Sequence, residues 1–201
     1  MRRVATELGA GTMTLYHYVH NKRELVSLMD DAIMAELIVP DEELPGDWRD
    51  ALAAIGRRTR AVFQRHPWSF TALRGAQGGP NSLRHVEQSL AAAARTGLDT
   101  TRQLELIAML DDYVFGFVMR SREARASGDD VREALERIPA GVFEYYESQL
   151  ASGEFPHLAE LLGMDLRKAI PKLAAVFADE HRFDRGLQRL LDGVELELRE
   201  T

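Results

Sequence analysis

The sequence predicts an all-α protein, because nearly every segment between two chain breaks carries its apolar residues at helical spacing. No stretch shows the sustained alternation of a strand, and Gly and Pro residues stand where the periodic segments end. With 201 residues and 45% hydrophobic content, the chain is long enough for one or two domains with a substantial core.

The first three predicted helices are short and have recognisable ends. The first ends at Gly9, which can adopt the positive φ that favours a helix C-terminus, and Gly11 is a weak N-cap for the second. Asn21 can cap the third helix, and Glu24 three residues later can return the bond as a capping box. The segment "VPDEELPGD", residues 39–47, then interrupts the pattern.

The middle of the chain holds the longest helices. Asp47 is the predicted cap of a helix that runs to about His66, where Pro67 interrupts it. The loop "GAQGGPN" at 75–81 precedes a helix that ends near Gly97. The most apolar helix of the chain follows over 101–126, and "SGDD" at 127–130 closes it.

The C-terminal third is predicted as a helix near 140–152, a short amphipathic piece, a helix that contains Pro171, and a last helix from about Asp179 to Glu200. That last helix has an apolar stripe made of Phe183, Leu187, Leu190, Leu191, Val194 and Leu198. Gly186 and Gly193 lie seven residues apart on it and would let another helix approach closely.

Composition excludes several classes of protein. The chain has no cysteine, so disulfides and thiolate metal sites are excluded. No apolar run approaches the ~18–20 residues of a membrane span, and no signal sequence opens the chain, so a cytoplasmic location is expected. Net charge is −7, but residues 1–23 carry +3 and the rest −10, which suits a small module that meets polyanions and a larger acidic body.

The opening segment predicts a helix-turn-helix: two short helices joined by "LGAG" and followed by a capped third helix. In this motif the second helix enters the major groove of DNA. Leu15 and Val19 would face inward, which leaves an outward array of Thr12, Thr14, Tyr16, His17 and Tyr18. Hydroxyl groups of this kind bind phosphates and base edges. The alternative is an exposed aromatic turn packed against a neighbouring helix.

The segment "RRVATELGAGTMTLYHYVHNKRELV" resembles the helix-turn-helix signature of TetR-family regulators. The matching residues are Ala5, Leu8, Gly9, Thr14, Leu15, Tyr16, Val19, Lys22 and Leu25. "RHPW" at 65–68, "GGPN" at 78–81 and "RFDRGLQRLLDGVE" at 182–195 are similar to the tetracycline-repressor-like C-terminal domain, though this match is looser.

The resemblance implies a one-component transcriptional regulator, most simply a repressor. It implies DNA contacts by Arg2, Thr12, Met13, Thr14, Tyr16, Tyr18 and Lys22, whereas Leu8, Leu15 and Val19 match core positions. A helix-turn-helix DNA-binding domain is expected over 1–44, and a helical-bundle domain for effector binding and dimerisation over 45–201. The expected partners are a palindromic double-stranded DNA operator, a small-molecule effector and a second copy of the chain, with no membrane and no cofactor.

An effector pocket that is largely apolar is expected in the C-terminal domain, because helical bundles place ligand sites between their helices. Its predicted lining is drawn from Trp68, Phe70, Leu73, Met109, Tyr113, Phe117 and Phe143, with Tyr113 as the polar contact. Each of these side chains could instead be an ordinary core residue.

The dimer is expected to use the 101–126 helix and the last helix, since two such helices from each subunit form a four-helix bundle in the family. The predicted interface residues are Phe183, Leu187, Leu190, Leu191 and Val194. The middle helix is apolar nearly all round, so something besides its own domain must cover one face.

A second class of function, a small all-α enzyme or a ligand-binding protein that does not bind DNA, rests on Asp111 and Asp112 alone. Both carboxylates share helix faces with apolar residues, so they need a partner. That partner could be an ion pair or helix–helix hydrogen bond, an effector, or a substrate. The six histidines lack the spacing of a metal site on one helix, so no metal is expected.

The family's DNA-binding domain has a further helix ahead of the segment that begins at Arg2. A start codon assigned at an internal methionine is the favoured explanation, and native truncation is the alternative. Without that helix, Val4, Leu8, Leu15 and Val19 would lose part of their cover. The 201-residue chain is then expected to dimerise normally and to bind its operator poorly, with residues 1–25 mobile.

Overall fold

The structure is a computed structural model that describes residues 1–69, 78–126, 131–163 and 165–200. Every regular element in these ranges is a helix, as the all-α prediction requires. In chain order the helices are α1 Arg2–Glu7, α2 Thr12–Tyr18, α3 Lys22–Leu37, α4 Trp48–Arg65, α5 Pro80–Ala94, α6 Thr100–Ala126, α7 Val131–Glu136, α8 Ala140–Ala151, α9 Pro156–Leu162, α10 Leu166–Ala178 and α11 His181–Glu200. Among them, no helix combines the length and the hydropathy that crossing a bilayer demands.

Helix ends follow the predicted signals closely. Gly9 has φ +65°, and the Asp47 carboxylate accepts from the N–H of Arg49 at 2.9 Å and of Asp50 at 3.2 Å. The last helix begins at His181, two residues later than predicted, because the Asp179 side chain accepts from the His181 N–H at 2.9 Å and acts as the cap.

The chain divides into two compact units, one formed by residues 1–119 with 187–201 and the other by residues 120–186. The predicted domain boundary near residue 44 lies inside the first unit, and that boundary stays a prediction. In the first unit, α3, α4 and α5 pack against one another. Their buried side chains include Ile33, Leu37, Leu52, Ile55, Val62 and Ala92.

Helix α6 approaches α4 closely at a glycine. A Cβ atom added to Gly56 would lie 3.1 Å from Cδ1 of Leu110, tighter than ordinary van der Waals contact. Gly56 is itself buried, and Leu110 is 2% exposed. The absence of a side chain at Gly56 therefore lets α6 lie against α4 and close the core of this unit.

Helix α11 is bound to the start of α4 by a cluster of polar side chains. Arg49 pairs with Asp192, and it donates to Oε2 of Glu195 at 3.1 Å and to Oε1 of Gln188 at 2.9 Å. Glu195 also accepts from Arg199 at 2.6 Å. Because Arg49 is mostly buried, this network fixes the register of α11 in the first unit.

The second unit has a small core of its own. Its buried cluster contains Leu135, Phe143, Leu150 and Leu166, with Ile138, Ala159, Leu162 and Ile170 packed around it. The guanidinium of Arg167 lies 4.0 Å from the centre of the Phe143 ring. A groove of about 380 Å³ borders this core and is lined by side chains of α8, α9 and α10.

Candidate nucleic-acid interface and interior polar cluster

The turn between α1 and α2 has the geometry of a helix-turn-helix. The two helices contact each other, and the chain reverses through Gly9 with its left-handed φ. Ala5, Leu15 and Val19 are 1%, 8% and 6% exposed, so they form the inner side of the motif.

The predicted DNA contacts lie on the outer side of the same motif. Met13 is 81% exposed, Tyr18 is 72% exposed and Tyr16 is 40% exposed. Arg2, Thr14 and Lys22 are exposed as well, and Thr12 is half-buried at the start of α2. The structure thus brings the six α2 and α3 residues of the predicted set to one solvent-facing stretch between 12 and 22.

The cap of α3 differs in one detail from the predicted capping box. The Glu24 N–H donates to Oδ1 of Asn21 at 2.9 Å, as expected. The Glu24 carboxylate, however, accepts from the backbone N–H of His20 at 2.7 Å rather than from Asn21. This bond and the contact with the His20 ring lower the pKa of Glu24 and keep the carboxylate ionised beside the predicted phosphate contact Lys22.

Leu8, which matches a core position of the family pattern, is exposed in this structure. Leu8 is 65% exposed and Val4 is 36% exposed, whereas Leu15 and Val19 are buried. Leu8 is the C-cap residue of α1 and directly precedes Gly9, whose φ is left-handed. Of the four apolar residues named for the inner side of the motif, Leu15 and Val19 are therefore buried, and Val4 and Leu8 are exposed.

Several buried polar atoms inside the first unit have no hydrogen-bond partner among the residues that the structure describes. They are Oγ1 of Thr59, Nε2 of Gln64, Oγ of Ser69 and Nδ1 of His85. Burial lowers the pKa of His85, so its ring is neutral near pH 7. Most buried polar atoms in proteins are hydrogen-bonded, so these atoms on α4, the segment after it and α5 are exceptions within the described residues.

Helices α4 and α6 also carry aromatic rings that contact one another. The rings of Phe63 and Phe115 lie 5.2 Å apart edge to face, and those of Tyr113 and Phe117 lie 6.4 Å apart. The guanidinium of Arg60 lies 5.0 Å from the Phe117 centroid. Sequence reasoning named Tyr113 and Phe117 but missed Thr59, Gln64, Ser69 and His85. A threonine in the apolar stripe of α4, between Ile55 and Val62, was the available signal.

The other predicted pocket residues are spread more widely. Trp68 is 41% exposed beside His66, and Met109 is 39% exposed on α6. Phe143 belongs to the core of the second unit. Phe70 and Leu73 lie outside the described residues. Three grooves in the described parts of the chain are lined by none of the predicted pocket residues.

Asp111 has no hydrogen-bond or ion-pair partner among the residues that the structure describes. Burial, and then the neighbouring Asp112 carboxylate, raise the pKa of Asp111 to about 6. Neither carboxylate makes a hydrogen bond or an ion pair with any part of the chain that the structure describes. In those same parts, no group of His, Asp and Glu residues could hold a metal ion.

The predicted dimer residues are largely covered by the chain itself. Phe183, Leu187 and Leu191 are 0% exposed and Val194 is 7% exposed, so they leave a second subunit little or no surface. Leu190 is half-buried. The exposed apolar surface lies elsewhere on the same two helices, at Leu104, Met109 and Met119 of α6 and at Leu196 of α11.

Comparison with known proteins decides the family. Residues 39–198 match the family model "Tetracyclin repressor-like, C-terminal domain". The chain belongs to the TetR family. It is 34% identical over 202 aligned residues to the "HTH-type transcriptional repressor DrrR1" of Streptomyces coeruleorubidus, an alignment that covers 98% of this chain and 69% of that protein.

Further relatives agree with this placement. An "HTH-type transcriptional regulator" of Saccharopolyspora erythraea is 35% identical over 160 residues, which is 78% of this chain and 66% of that protein. Among solved structures, the TetR family protein ActR of Streptomyces coelicolor, in complex with actinorhodin, superposes with a TM-score of 0.66 at 24% identity and covers 98% of this chain and 87% of that one. The resemblance to TetR-family regulators is confirmed. The homologues are transcriptional regulators and not enzymes, so they do not support the enzyme alternative based on Asp111 and Asp112.

Proposed function

We propose that this TetR-family chain is a ligand-responsive repressor that binds a palindromic double-stranded operator as a homodimer and leaves it when a small, largely apolar effector binds. The single observation that carries the proposal is the outer face of α2, where Met13, Tyr16 and Tyr18 are exposed over a buried Leu15 and Val19. Large exposed side chains on a helix of this size serve recognition rather than stability. A regulator of this kind works in the cytoplasm.

Each predicted contact has a chemical role on DNA. Tyr16 and Tyr18 donate phenolic O–H groups to phosphate oxygens, and Lys22 meets a phosphate as a point charge at the start of α3. Thr14 reaches a base edge or a phosphate with its hydroxyl, and Met13 offers a thioether to a thymine methyl group. Arg2, at the start of α1, contacts the backbone.

The DNA-binding proposal is tested by selecting duplexes from a random pool with the purified protein and measuring affinity for the selected duplex. Lys22→Ala should weaken binding to selected and unrelated duplexes alike. It should also reduce the slope of log affinity against log salt concentration by about 1, the amount expected for one lost phosphate contact. Met13→Ala should weaken only the selected duplex. His17→Ala is the matched control, because His17 is exposed on α2 but was assigned no contact.

The second subunit is proposed to cover the exposed apolar face of α6 and α11. Met109 and Gly116 lie two turns apart on α6, and Gly193 and Leu196 lie on the exposed side of α11. A Cβ atom at Gly116 or at Gly193 would meet nothing within 4 Å, so both positions leave room for a helix of the partner. Interfaces between close-packed helices suit such small residues, and the exposed side chains flanking them supply the apolar area.

The oligomeric state tests this surface. A Met109→Glu/Leu196→Glu variant should sediment as a folded monomer at micromolar concentration, where the wild type should be a dimer. Leu83→Glu is the matched control, since Leu83 is 74% exposed on α5, away from that surface. A wild-type chain that sediments as a monomer contradicts the proposal.

The effector is proposed to bind where the unpartnered polar atoms of α4 and α5 accompany the aromatic rings of α4 and α6. Gln64 and Thr59 can donate hydrogen bonds, and the neutral His85 ring can donate or accept one. This set suits an uncharged aromatic molecule that carries carbonyl or hydroxyl oxygens. That the neighbouring fold of ActR was solved with actinorhodin supports a small-molecule effector for this chain too.

A thermal-shift screen of uncharged aromatic compounds tests the effector site, because a ligand that binds only the folded state raises the melting temperature. Compounds that bind should lower the affinity for the selected duplex by linkage. Gln64→Leu should reduce the shift, and Gln149→Leu, a half-buried glutamine of the second unit, should not. Hits that bind without affecting DNA contradict the regulatory part of the proposal.

A further inference from the structure

Helix α5 begins without a capping side chain from its own N-cap residue. Gly79 occupies that position and Pro80 the first turn. The backbone N–H of Asn81 instead donates to Oδ1 of Asp31 at 2.8 Å, and Asp31 lies in the middle of α3. A capping oxygen normally belongs to the residue just before the helix. Here a carboxylate from another helix, 50 residues earlier, takes its place.

The side chain of Asn81 also donates to the Asp31 carboxylate. Its Nδ2 donates to Oδ2 of Asp31 at 2.8 Å and lies 3.3 Å from the Asp31 backbone oxygen. Its own Oδ1 accepts from Arg84 at 2.8 Å, which fixes the orientation of the amide. Both carboxylate oxygens of Asp31 therefore bind the first turn of α5, where the helix dipole also favours a negative charge.

Gly79 makes room for the carboxylate. A Cβ atom on Gly79 would lie 2.6 Å from Cγ of Asp31, and such an overlap would force the two helices apart. The need for glycine at this position comes from the approach of Asp31, because the φ of Gly79 is −98°, which any residue adopts.

A second pair of hydrogen bonds holds the other end of the same stretch. Gln88 lies two turns further along α5, and its Nε2 donates to the Val39 backbone oxygen at 2.8 Å. The Val39 N–H donates back to Oε1 of Gln88 at 3.0 Å. Helix α5 is thus hydrogen-bonded to α3 at Asp31 and to the chain just after α3 at Val39. These two attachments fix the direction of the α3 axis relative to α5.

We infer that Asp31 is a positioning residue: its bonds to the first turn of α5 fix the orientation of α3 and therefore of the DNA-reading residues next to it. Its part in the release of DNA rests on the proposed function, because an effector that moved α5 would move α3 through this contact. The assignment of Asp31 as the joint between the two helices needs neither DNA nor an effector.

The test uses the absence of cysteine from the sequence. Spin labels on Arg23→Cys in the first turn of α3 and on Glu87→Cys on α5, both exposed, report the distance between the two helices by pulsed electron paramagnetic resonance. Asp31→Ala should broaden or shift the distance distribution. Asp30→Ala should leave it unchanged, because Asp30 is an adjacent carboxylate on the same helix that makes no hydrogen bond in the described chain. The swap Asp31→Asn/Asn81→Asp should restore the wild-type distribution, since amide and carboxylate exchange roles.

A second variant, Gly79→Ala, tests the same contact in case Asp31→Ala does not fold. Gly79→Ala should displace the Asp31 carboxylate and change the same distribution while the circular dichroism spectrum stays helical. In Asp31→Ala the backbone amide of Asn81 should also exchange with solvent about tenfold faster, in line with the loss of a bond to a charged acceptor.

An Asp31→Ala distribution identical to wild type would overturn the assignment, and so would equal changes in Asp31→Ala and Asp30→Ala. If the label distances respond as expected while the duplex selection recovers no DNA, then the joint stands and the proposed function falls. The two failures are therefore distinguishable.

Discussion

Glu36 of α3 and His66, the residue that follows α4, lie 3.0 Å apart between Oε1 and Nε2. The same carboxylate meets Arg65 at 3.1 Å, and the Glu36 backbone oxygen accepts from Nε of Arg58 at 2.7 Å. One residue of α3 thus binds three side chains from the second half of α4 and the residue after it. Glu36 therefore attaches α3 to α4, and Asp31 attaches α3 to α5.

Removing the charge of Glu36 should weaken this attachment. We expect Glu36→Gln to lower the free energy of unfolding by about 0.5–1 kcal/mol, because the ion pairs are partly exposed and solvent screens them. Urea denaturation at low and high salt measures the loss, which should shrink at high salt. Glu43→Gln, an exposed carboxylate without an ion pair in the described chain, is the control and should change little.

Because of Asp111, the free energy of unfolding should be larger in mild acid than at neutral pH. Its pKa is raised from 3.8 to about 6 by folding, so the folded state holds a proton that the unfolded state has lost between these values. The contribution to stability is complete below the unfolded pKa and is lost as the pH rises through the folded pKa. Asp111→Asn should therefore stabilise the protein at pH 7 by about 1 kcal/mol, after solvent screening, and have no such effect below the unfolded pKa.

The pH profile of thermal unfolding, measured on wild type and Asp111→Asn, checks this. Glu105→Gln, an exposed carboxylate on the same helix, should keep the wild-type profile. A difference between wild type and Asp111→Asn that is the same at every pH would contradict the titration of Asp111 as its cause.

His85 should have the opposite effect on the pH dependence of stability, lowering the free energy of unfolding in mild acid. Burial lowers its pKa from the ordinary value of 6.5, so the unfolded chain takes up a proton before the folded one does. Stability from this residue is present at higher pH and is lost as the pH falls through the unfolded and then the folded pKa. His85→Gln should flatten this loss between neutral and mildly acidic pH. His157→Gln, an exposed histidine, should not.

Leu191 should be a core residue rather than an interface residue. It is 0% exposed within a single chain, so Leu191→Ala should cost about 2–5 kcal/mol of unfolding free energy, measured by urea denaturation. Leu196→Ala on the same helix, where the side chain is 59% exposed, should cost about 0.5 kcal/mol or less in a monomeric reference such as the Met109→Glu background. Equal costs would contradict the assigned burial.

Gly56 should not tolerate a branched side chain. Its Cβ position lies 3.1 Å from Cδ1 and 3.8 Å from Cγ of Leu110, so Gly56→Val should cost about 1–3 kcal/mol through overpacking between α4 and α6. The double variant Gly56→Val/Leu110→Ala should recover part of that loss, since it frees volume at the same contact. Thermal unfolding of the wild type, of Gly56→Val and Leu110→Ala, and of the double variant gives the coupling free energy between the two positions.

The sequence by itself determined the helices and the identity of the reading motif. Caps such as Asn21 and Asp47 and breaks such as Gly9 act through the backbone of their immediate neighbours, so a local pattern is sufficient to place them. The apolar stripe of α11 was also visible, because helical periodicity marks the side that is buried. The same locality explains why the outward residues of α2, such as Met13 and Tyr18, could be named from the sequence.

Only the tertiary structure decided what covers each buried face. The stripe of α11 predicted burial at Leu187 and Leu191 but could not say whether the cover came from the same chain or from a partner; the fold assigns it to the same chain. Nor could any local pattern reveal that Asp31 caps α5, since that contact joins residues far apart in sequence. The unpartnered atoms of Gln64 and His85 likewise follow from packing. Periodicity records which side of a helix avoids water, whereas the partner of that side depends on how distant segments meet.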